Sequence, residues 1–242
     1  MQTAAFAAAG LDWTYELLDL PRERLHEAIA MLRAKDVGGA NVTIPYKLAV
    51  MEHLDRLDAD ALRAHAVNTI SREGEHLVGS NTDVAGIRAA LDDVGLDESR
   101  GIRAVILGAG GSARAAAVAL DGAHITFVAR RPESAADLPG RIAAWSEQGW
   151  QKEARDADVL LNATPLGRHD EMPMRPNALP KTGAVIDLVY VKGGTPLIRK
   201  ARSLGLRVAD GWGVLLAQGA RSFEIWTGRP APVDAMRQAL QR

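Results

Sequence analysis

The chain has 242 residues, of which 47% are hydrophobic and 24% charged, with 29 Lys and Arg against 30 Asp and Glu. A net charge of −1 gives no electrostatic reason to bind nucleic acid or an anionic membrane, and the absence of cysteine excludes disulfides, thiol nucleophiles and cysteine-held metals. No apolar run reaches the length of a membrane span and the first residues lack the order of a signal peptide, so a cytoplasmic protein of one large or two small domains is expected.

Residues 1–9 are rich in Ala and read as a helix closed by Gly10. Residues 13–18 (WTYELL) read as a strand. Pro21 opens a predicted helix through about residue 35, with Leu25, Ile29 and Leu32 on one face. A short strand is expected at 38–43, a short helix from Pro45, and a second short helix after it. Residues 66–71 and 76–79 flank Glu73-Gly74 and predict a hairpin. Asn81-Thr82-Asp83 then caps a helix whose Ile87, Leu91 and Val94 share a face.

The most informative stretch runs from Ile102 to Arg131. An apolar run, Ala104-Val105-Ile106-Leu107, reads as a buried parallel strand. Gly108-Ala109-Gly110-Gly111 follows, then a helix from Ser112 and Ala113, then a second strand at 125–129. Gly108, Gly110 and Ala113 fit the GxGxxA form of the dinucleotide fingerprint in its strand–turn–helix context. Gly108 turns the chain, Gly110 leaves room for a pyrophosphate, and Ala113 lets helix and strand approach. The helix start offers free N–H groups to the diphosphate. An NAD site usually places an acid at the end of the second strand; Arg130 and Arg131 stand there instead. A guanidinium suits a ribose 2′-phosphate, so NADP(H) is favoured over NAD, with Glu133 close enough to leave NAD open.

Residues 131–156 are hard to read, with Pro132 and Pro139 disturbing the pattern and a helix near Lys152. Further strands are expected at 159–161, 184–189 and 206–209, and helices at 195–204, 213–227 and from Val233. Alternating strands and helices predict an α/β protein with a doubly wound, parallel, Rossmann-like dinucleotide domain over 83–212. Residues 1–82, completed by the helices of 213–242, form a smaller α/β substrate domain. A cleft between the two is the expected active site.

Four polar motifs lie outside the glycine turn: NVTIPYK (41–47), AVNT (66–69), SNTD (80–83) and LLAQ (215–218). Each has a plain structural reading when taken alone. Asn41 and Asn68 suit turns, Asp83 suits a helix start, Lys47 suits the surface, and Gln218 suits a buried amide bonded to backbone. The six histidines form no ligand cluster, so no metal is expected.

Taken in order, NVTIPYK, AVNT, NTD, GAGGSAR, NATPLG, DLVY and TPL, followed by Gly213 and Gln218 in one helix, closely resemble the shikimate dehydrogenase family over essentially the whole chain. The resemblance implies reversible, NADPH-dependent reduction of 3-dehydroshikimate to shikimate in aromatic amino-acid biosynthesis, by a monomer or homodimer. It assigns Lys47 and Asp83 as the catalytic pair. Thr43, Asn68, Asp83, Tyr190 and Gln218 become substrate-binding positions. Gly108, Ala109, Gly110, Gly111, Ser112, Ala113, Arg130, Arg131, Thr164, Leu188, Gly211 and Gly213 become cofactor-binding positions. An ammonium beside a ring carbonyl stabilises the charge that hydride arrival develops and can deliver the proton. The many neutral polar groups suit a polyhydroxylated acid.

The sequence departs from the family in two places. Members begin with a further strand and a Ser-Leu-Ser turn that holds the substrate carboxylate; this chain aligns from just after that turn, which predicts weakened stability or substrate affinity. The end of the second strand reads Ala129-Arg130-Arg131 rather than Asn-Arg-Thr, keeping the arginine. Two other readings stay open at this point: a quinate/shikimate dehydrogenase using NAD, and a non-catalytic dinucleotide-binding homologue.

Overall fold

The computed structural model describes residues 1–96, 101–147 and 149–241. The chain forms two compact units, one of Met1–Ala85 with Leu216–Arg242 and the other of Gly86–Leu215. Among the described residues, no helix is long and apolar enough to cross a membrane.

The first unit opens with helices α1 (Gln2–Ala8) and α2 (Leu25–Met31), followed by strands β1 (Gly39–Asn41) and β2 (Arg56–Leu57). Helix α3 (Ala59–Ala64), strands β3 (Thr69–Glu73) and β4 (His76–Ser80), and the start of α4 (Thr82–Asp93) come next. The four strands make one sheet in the order β1-β3-β4-β2. The β3–β4 hairpin turns through Gly74 and Glu75, and Gly74 has φ +65°. A glycine at the first of two central positions is what a type II′ hairpin requires. Ile29, Leu32, Val50, Val67, Ile70 and Leu77 form the core against the sheet.

Three expectations change here. Residues 13–18 are not a strand. Apolar alternation makes a strand only where a neighbour takes its backbone hydrogen bonds. Here the side chains dock individually: Trp13 edge-on to Phe6 at 5.4 Å, Tyr15 near Trp226 at 6.1 Å, with Leu17 left 93% exposed. The helix expected from Pro21 to residue 35 is a 3-10 turn, Arg22–Arg24, followed by the seven-residue α2. The helix expected at Pro45 is a turn, with a 3-10 helix starting later at Ala49–His53.

The second unit contains β5 (Arg103–Leu107), α5 (Gly111–Ala119), β6 (His124–Ala129), β7 (Arg141–Ala144), α6 (Gly149–Arg155), β8 (Val159–Asn162), β9 (Ala184–Asp187), α7 (Pro196–Ser203) and β10 (Arg207–Ala209). Its six strands are all parallel, in the order β10-β9-β8-β5-β6-β7. The chain starts in the middle at β5, runs outward through β6 and β7, then returns to the other side of β5. The strand order therefore reverses between β5 and β8, where open α/β sheets bind ligands beyond the strands' carboxyl ends. The register sets Leu107, Asn162 and Asp187 side by side there. Val105, Leu107, Val128, Leu160, Val185, Trp150, Leu197 and Ile198 are buried in the core. Ala113, Ala115, Ala116 and Ala117 of α5 are buried too, their small side chains giving a close helix approach. Between β6 and β7 there is only a 3-10 turn, Pro132–Ala135, consistent with the two prolines. Helix α8 (Gly211–Thr227) leads back into the first unit, which α9 (Val233–Leu240) completes.

Candidate active site

In the first unit, Lys47 and Asp83 meet although 36 residues separate them. The Lys47 Nζ donates to Asp83 Oδ2, with the two side chains only 11% and 14% exposed. Local structure places each. The backbone carbonyl of Lys47 accepts from Val67 N–H at 2.7 Å, which ties the NVTIPYK turn to the AVNT motif that leads into β3. Asp83 lies in the first turn of α4, where the helix dipole favours a carboxylate. Its other oxygen accepts from Asn68 Nδ2 at 2.8 Å. Asn68 also accepts from Thr82 N–H at 2.7 Å, so one amide fixes both the start of α4 and the carboxylate on it. Gln218, from α8, joins at 3.4 Å from Asn68 Nδ2. Thr43 is exposed on the same motif as Lys47.

The sequence reading missed the layer beneath. Thr69, Thr82 and Ser222 are buried and their hydroxyls lie 2.9 to 3.1 Å from one another. Asn41 Nδ2 donates to both Thr69 and Ser222 at 3.1 Å. Ser222 stands one helical turn after Gln218, and that spacing was the only signal for it. Neutral groups that bond one another in this way hold Asn68 and Gln218 in place without adding charge.

In the second unit, Gly108 has φ +114° and closes the turn after β5. A Cβ there would lie 3.2 Å from the Ala163 carbonyl oxygen and 3.3 Å from Thr164 Cγ2, so the glycine turn and the NATPLG turn touch. Gly110 is the N-cap of α5 and carries no side-chain cap; a Cβ on it would meet nothing within 4 Å. The helix therefore begins with uncapped N–H donors in front of open space, the arrangement a phosphate takes. Ala109 and Ser112 are half-buried within this turn, while Gly111 and Ala113 are buried. Arg130 and Arg131 are exposed at the end of β6. A Cβ on Gly211 would strike the Leu188 carbonyl oxygen at 2.6 Å, so this glycine serves the approach of the 188–189 backbone to the start of α8. Gly213 has only Asp93 Oδ2 near its Cβ position, at 3.9 Å. Tyr190 belongs to this unit, 44% exposed and packed on Trp212 at 5.2 Å.

Asn162 and Asp187 are both fully buried. Asn162 Oδ1 accepts from Thr164 N–H at 3.1 Å and from its hydroxyl at 2.7 Å, and Asn162 Nδ2 donates to the Leu166 carbonyl and to Asp187 at 2.9 Å each. Burial pushes the Asp187 carboxyl up to about 6 from 3.8, against the pull of hydrogen bonds from Thr195, Val189 and Asn162. The folded state thus holds its proton more tightly than the unfolded chain. This group's contribution to stability is largest at acid pH and falls as pH rises from about 4 through about 6, by roughly 3 kcal/mol in all. Asp187→Asn should remove that slope, which urea unfolding at a series of pH values would show; parallel curves for the two proteins would refute it.

A doubly wound parallel sheet with an uncapped glycine turn at its switch point, together with a buried Lys–Asp pair among amides and hydroxyls, defines the class of dinucleotide-dependent oxidoreductases. The family model described as the shikimate dehydrogenase substrate binding domain matches residues 1–70, and that described as the shikimate 5'-dehydrogenase C-terminal domain matches residues 211–241. The shikimate dehydrogenase (NADP(+)) of Moorella thermoacetica is 41% identical, over 100% of this chain and 87% of the relative. A crystal structure of shikimate 5-dehydrogenase from Thermus thermophilus in complex with NADP(H) and shikimate superposes with a TM-score of 0.88 at 34% identity, covering 100% of this chain and 92% of that one. The ligand-free 5-ketofructose reductase of a Gluconobacter strain superposes with a TM-score of 0.83 at 35% identity, over 99% and 91% of the two chains. The chain belongs to the shikimate dehydrogenase family.

Proposed function

We propose that this protein reduces 3-dehydroshikimate to shikimate with NADPH, reversibly, as an enzyme of aromatic amino-acid biosynthesis. The observation that carries the reading is the buried Lys47–Asp83 ion pair. Asp83 holds the Lys47 ammonium in one place, and the ammonium faces the charge that develops on the substrate's carbonyl oxygen. As the carbonyl carbon gains hydride, Lys47 gives its proton to that oxygen, a hydroxyl forms, and the amine regains a proton from solvent. Asn68 and Gln218 supply amides for the ring hydroxyls, with Thr43 and Tyr190 as further substrate contacts.

The second unit fits NADP(H). Uncapped N–H groups at α5 and the open space over Gly110 suit the diphosphate. Arg130 and Arg131 suit the 2′-phosphate. With the 2′-phosphate at the end of β6 and the diphosphate at the start of α5, the nicotinamide end extends to the other side of β5, over β8 and β9, which Thr164 and Leu188 follow; Gly211, against the Leu188 backbone, and Gly213 open α8 on that side. When bound, the cofactor supplies the hydride.

Cofactor oxidation should be followed with 3-dehydroshikimate and with 5-ketofructose, each with NADPH and NADH. Turnover confined to 3-dehydroshikimate and faster with NADPH is expected; preference for 5-ketofructose, or for NAD+ with quinate in the reverse direction, would overturn the reading. Arg130→Glu should lower kcat/KM for NADPH by about tenfold to a hundredfold while sparing NADH, since it replaces a phosphate partner with a like charge. An equal loss with both cofactors would show that Arg130 does not read the 2′-phosphate.

A further inference from the structure

Asp187 is a buried carboxylate that the mechanism above does not use. Its side chain is fully buried, and no cation bonds it among the described residues. The charged group acting on it is Asp210, a like charge; nearby Arg202 bonds Asp210, and Arg199 bonds the Gly194 carbonyl and Asp170. Burying an unpaired carboxylate is unfavourable unless it is fully hydrogen-bonded. Here it is: Asn162 Nδ2 donates to it at 2.9 Å, Val189 N–H at 3.0 Å, and the Thr195 hydroxyl at 2.6 Å.

Those three donors come from three separate segments. Asn162 ends β8 and fixes Thr164 through two bonds to its own Oδ1. Val189 lies between Leu188 and Tyr190, just past β9. Thr195 is the N-cap of α7, where its hydroxyl also accepts from Ile198 N–H. A second tie runs from Leu188 N–H to the Asn162 carbonyl at 3.0 Å. The 188–189 backbone in turn rests against Gly211 at the start of α8. An ionised acceptor makes stronger bonds than a neutral one, so one carboxylate stiffens all three segments together.

We propose that Asp187 is a positioning residue for the nicotinamide end of the cofactor, holding the turn that bears Thr164 and the segment that bears Leu188 and Tyr190 in one fixed arrangement. The inference rests on the NADPH reading given above. It acts through Asn162 and Val189 and touches no reacting atom.

The test uses the full chain, with NADPH affinity read by tryptophan fluorescence apart from turnover. Asp187→Ala should weaken NADPH binding by about tenfold and lower kcat as well, because three buried donors lose this acceptor and the turn loosens. Asp187→Asn retains an acceptor oxygen for Asn162 and Val189 and should recover most of the affinity, which also covers the case in which the Ala variant does not fold. Wild-type NADPH affinity in a folded Asp187→Ala protein would overturn the inference. So would a loss of thermal stability in both variants with NADPH affinity and KM unmoved, which marks a purely structural role. A wild-type protein that binds NADPH but leaves 3-dehydroshikimate unreduced would overturn the substrate reading alone, since the affinity comparison still reads Asp187.

Discussion

Lys47→Ala is expected to lower kcat by about a thousandfold, with NADPH affinity unchanged. Two contributions are lost together. The ammonium no longer faces the developing oxyanion, and no other donor of the motif takes its place. The proton must then come from water, which is less well positioned and less acidic than an ammonium. Asp83→Asn should have a smaller effect, because Lys47 remains but is no longer held by an ion pair; Asn68 keeps one oxygen to bond. Asp83→Ala should fall nearer to Lys47→Ala, since it also leaves Asn68 without that partner. Single-turnover rates with saturating NADPH and 3-dehydroshikimate would separate this from binding. A Lys47→Ala protein that binds both ligands and turns over within tenfold of wild type would remove Lys47 from the chemistry.

The parts of the fold read most directly from sequence are those whose physics is local. The glycine turn is one: a sharp turn, a missing Cβ and an uncapped helix start are properties of adjacent residues, and Gly108, Gly110 and α5 stand as the pattern predicts. The hairpin around Gly74 is another. Elements that depend on distant partners were harder to read. Residues 13–18 carry the alternation of a strand, yet a strand needs a neighbour that no local pattern can supply. β7 was missed for the converse reason: Arg-Ile-Ala-Ala has little strand character, but the edge of the parallel sheet recruits it against Thr126–Ala129. At the site, Lys47 and Asp83 were legible through their motifs. The Thr69–Thr82–Ser222 hydroxyl layer was not, because a buried Ser or Thr is identified by what surrounds it in three dimensions. Asp187 was visible as part of DLVY, but its burial without a cation could be known only once β8, β9 and α7 were assembled.

The two glycines of the turn after β5 should separate stability from cofactor binding. Gly108 has φ +114°, and its Cβ position lies 3.2 Å from one backbone oxygen and 3.3 Å from Thr164. Gly108→Ala therefore meets both a disfavoured backbone and a close contact, and should cost about 1–3 kcal/mol of stability as well as displacing the Thr164 turn. Gly110 differs on both counts: φ −83° and ψ −172° suit any residue, and no atom lies within 4 Å of the added carbon. Gly110→Val meets no strain and should cost only about 1 kcal/mol of stability, the N-cap preference for glycine over an aliphatic residue. Its methyl groups would nonetheless stand in front of the uncapped N–H groups of α5, where the diphosphate is to sit. Displacing that group removes charge-assisted bonds to several donors at once, so NADPH affinity should fall by about a hundredfold. Thermal unfolding and NADPH titration of the two variants together form the test. A Gly110→Val protein that binds NADPH as wild type would place the diphosphate elsewhere, and the reading of the second unit as the cofactor domain would lose its main geometric support.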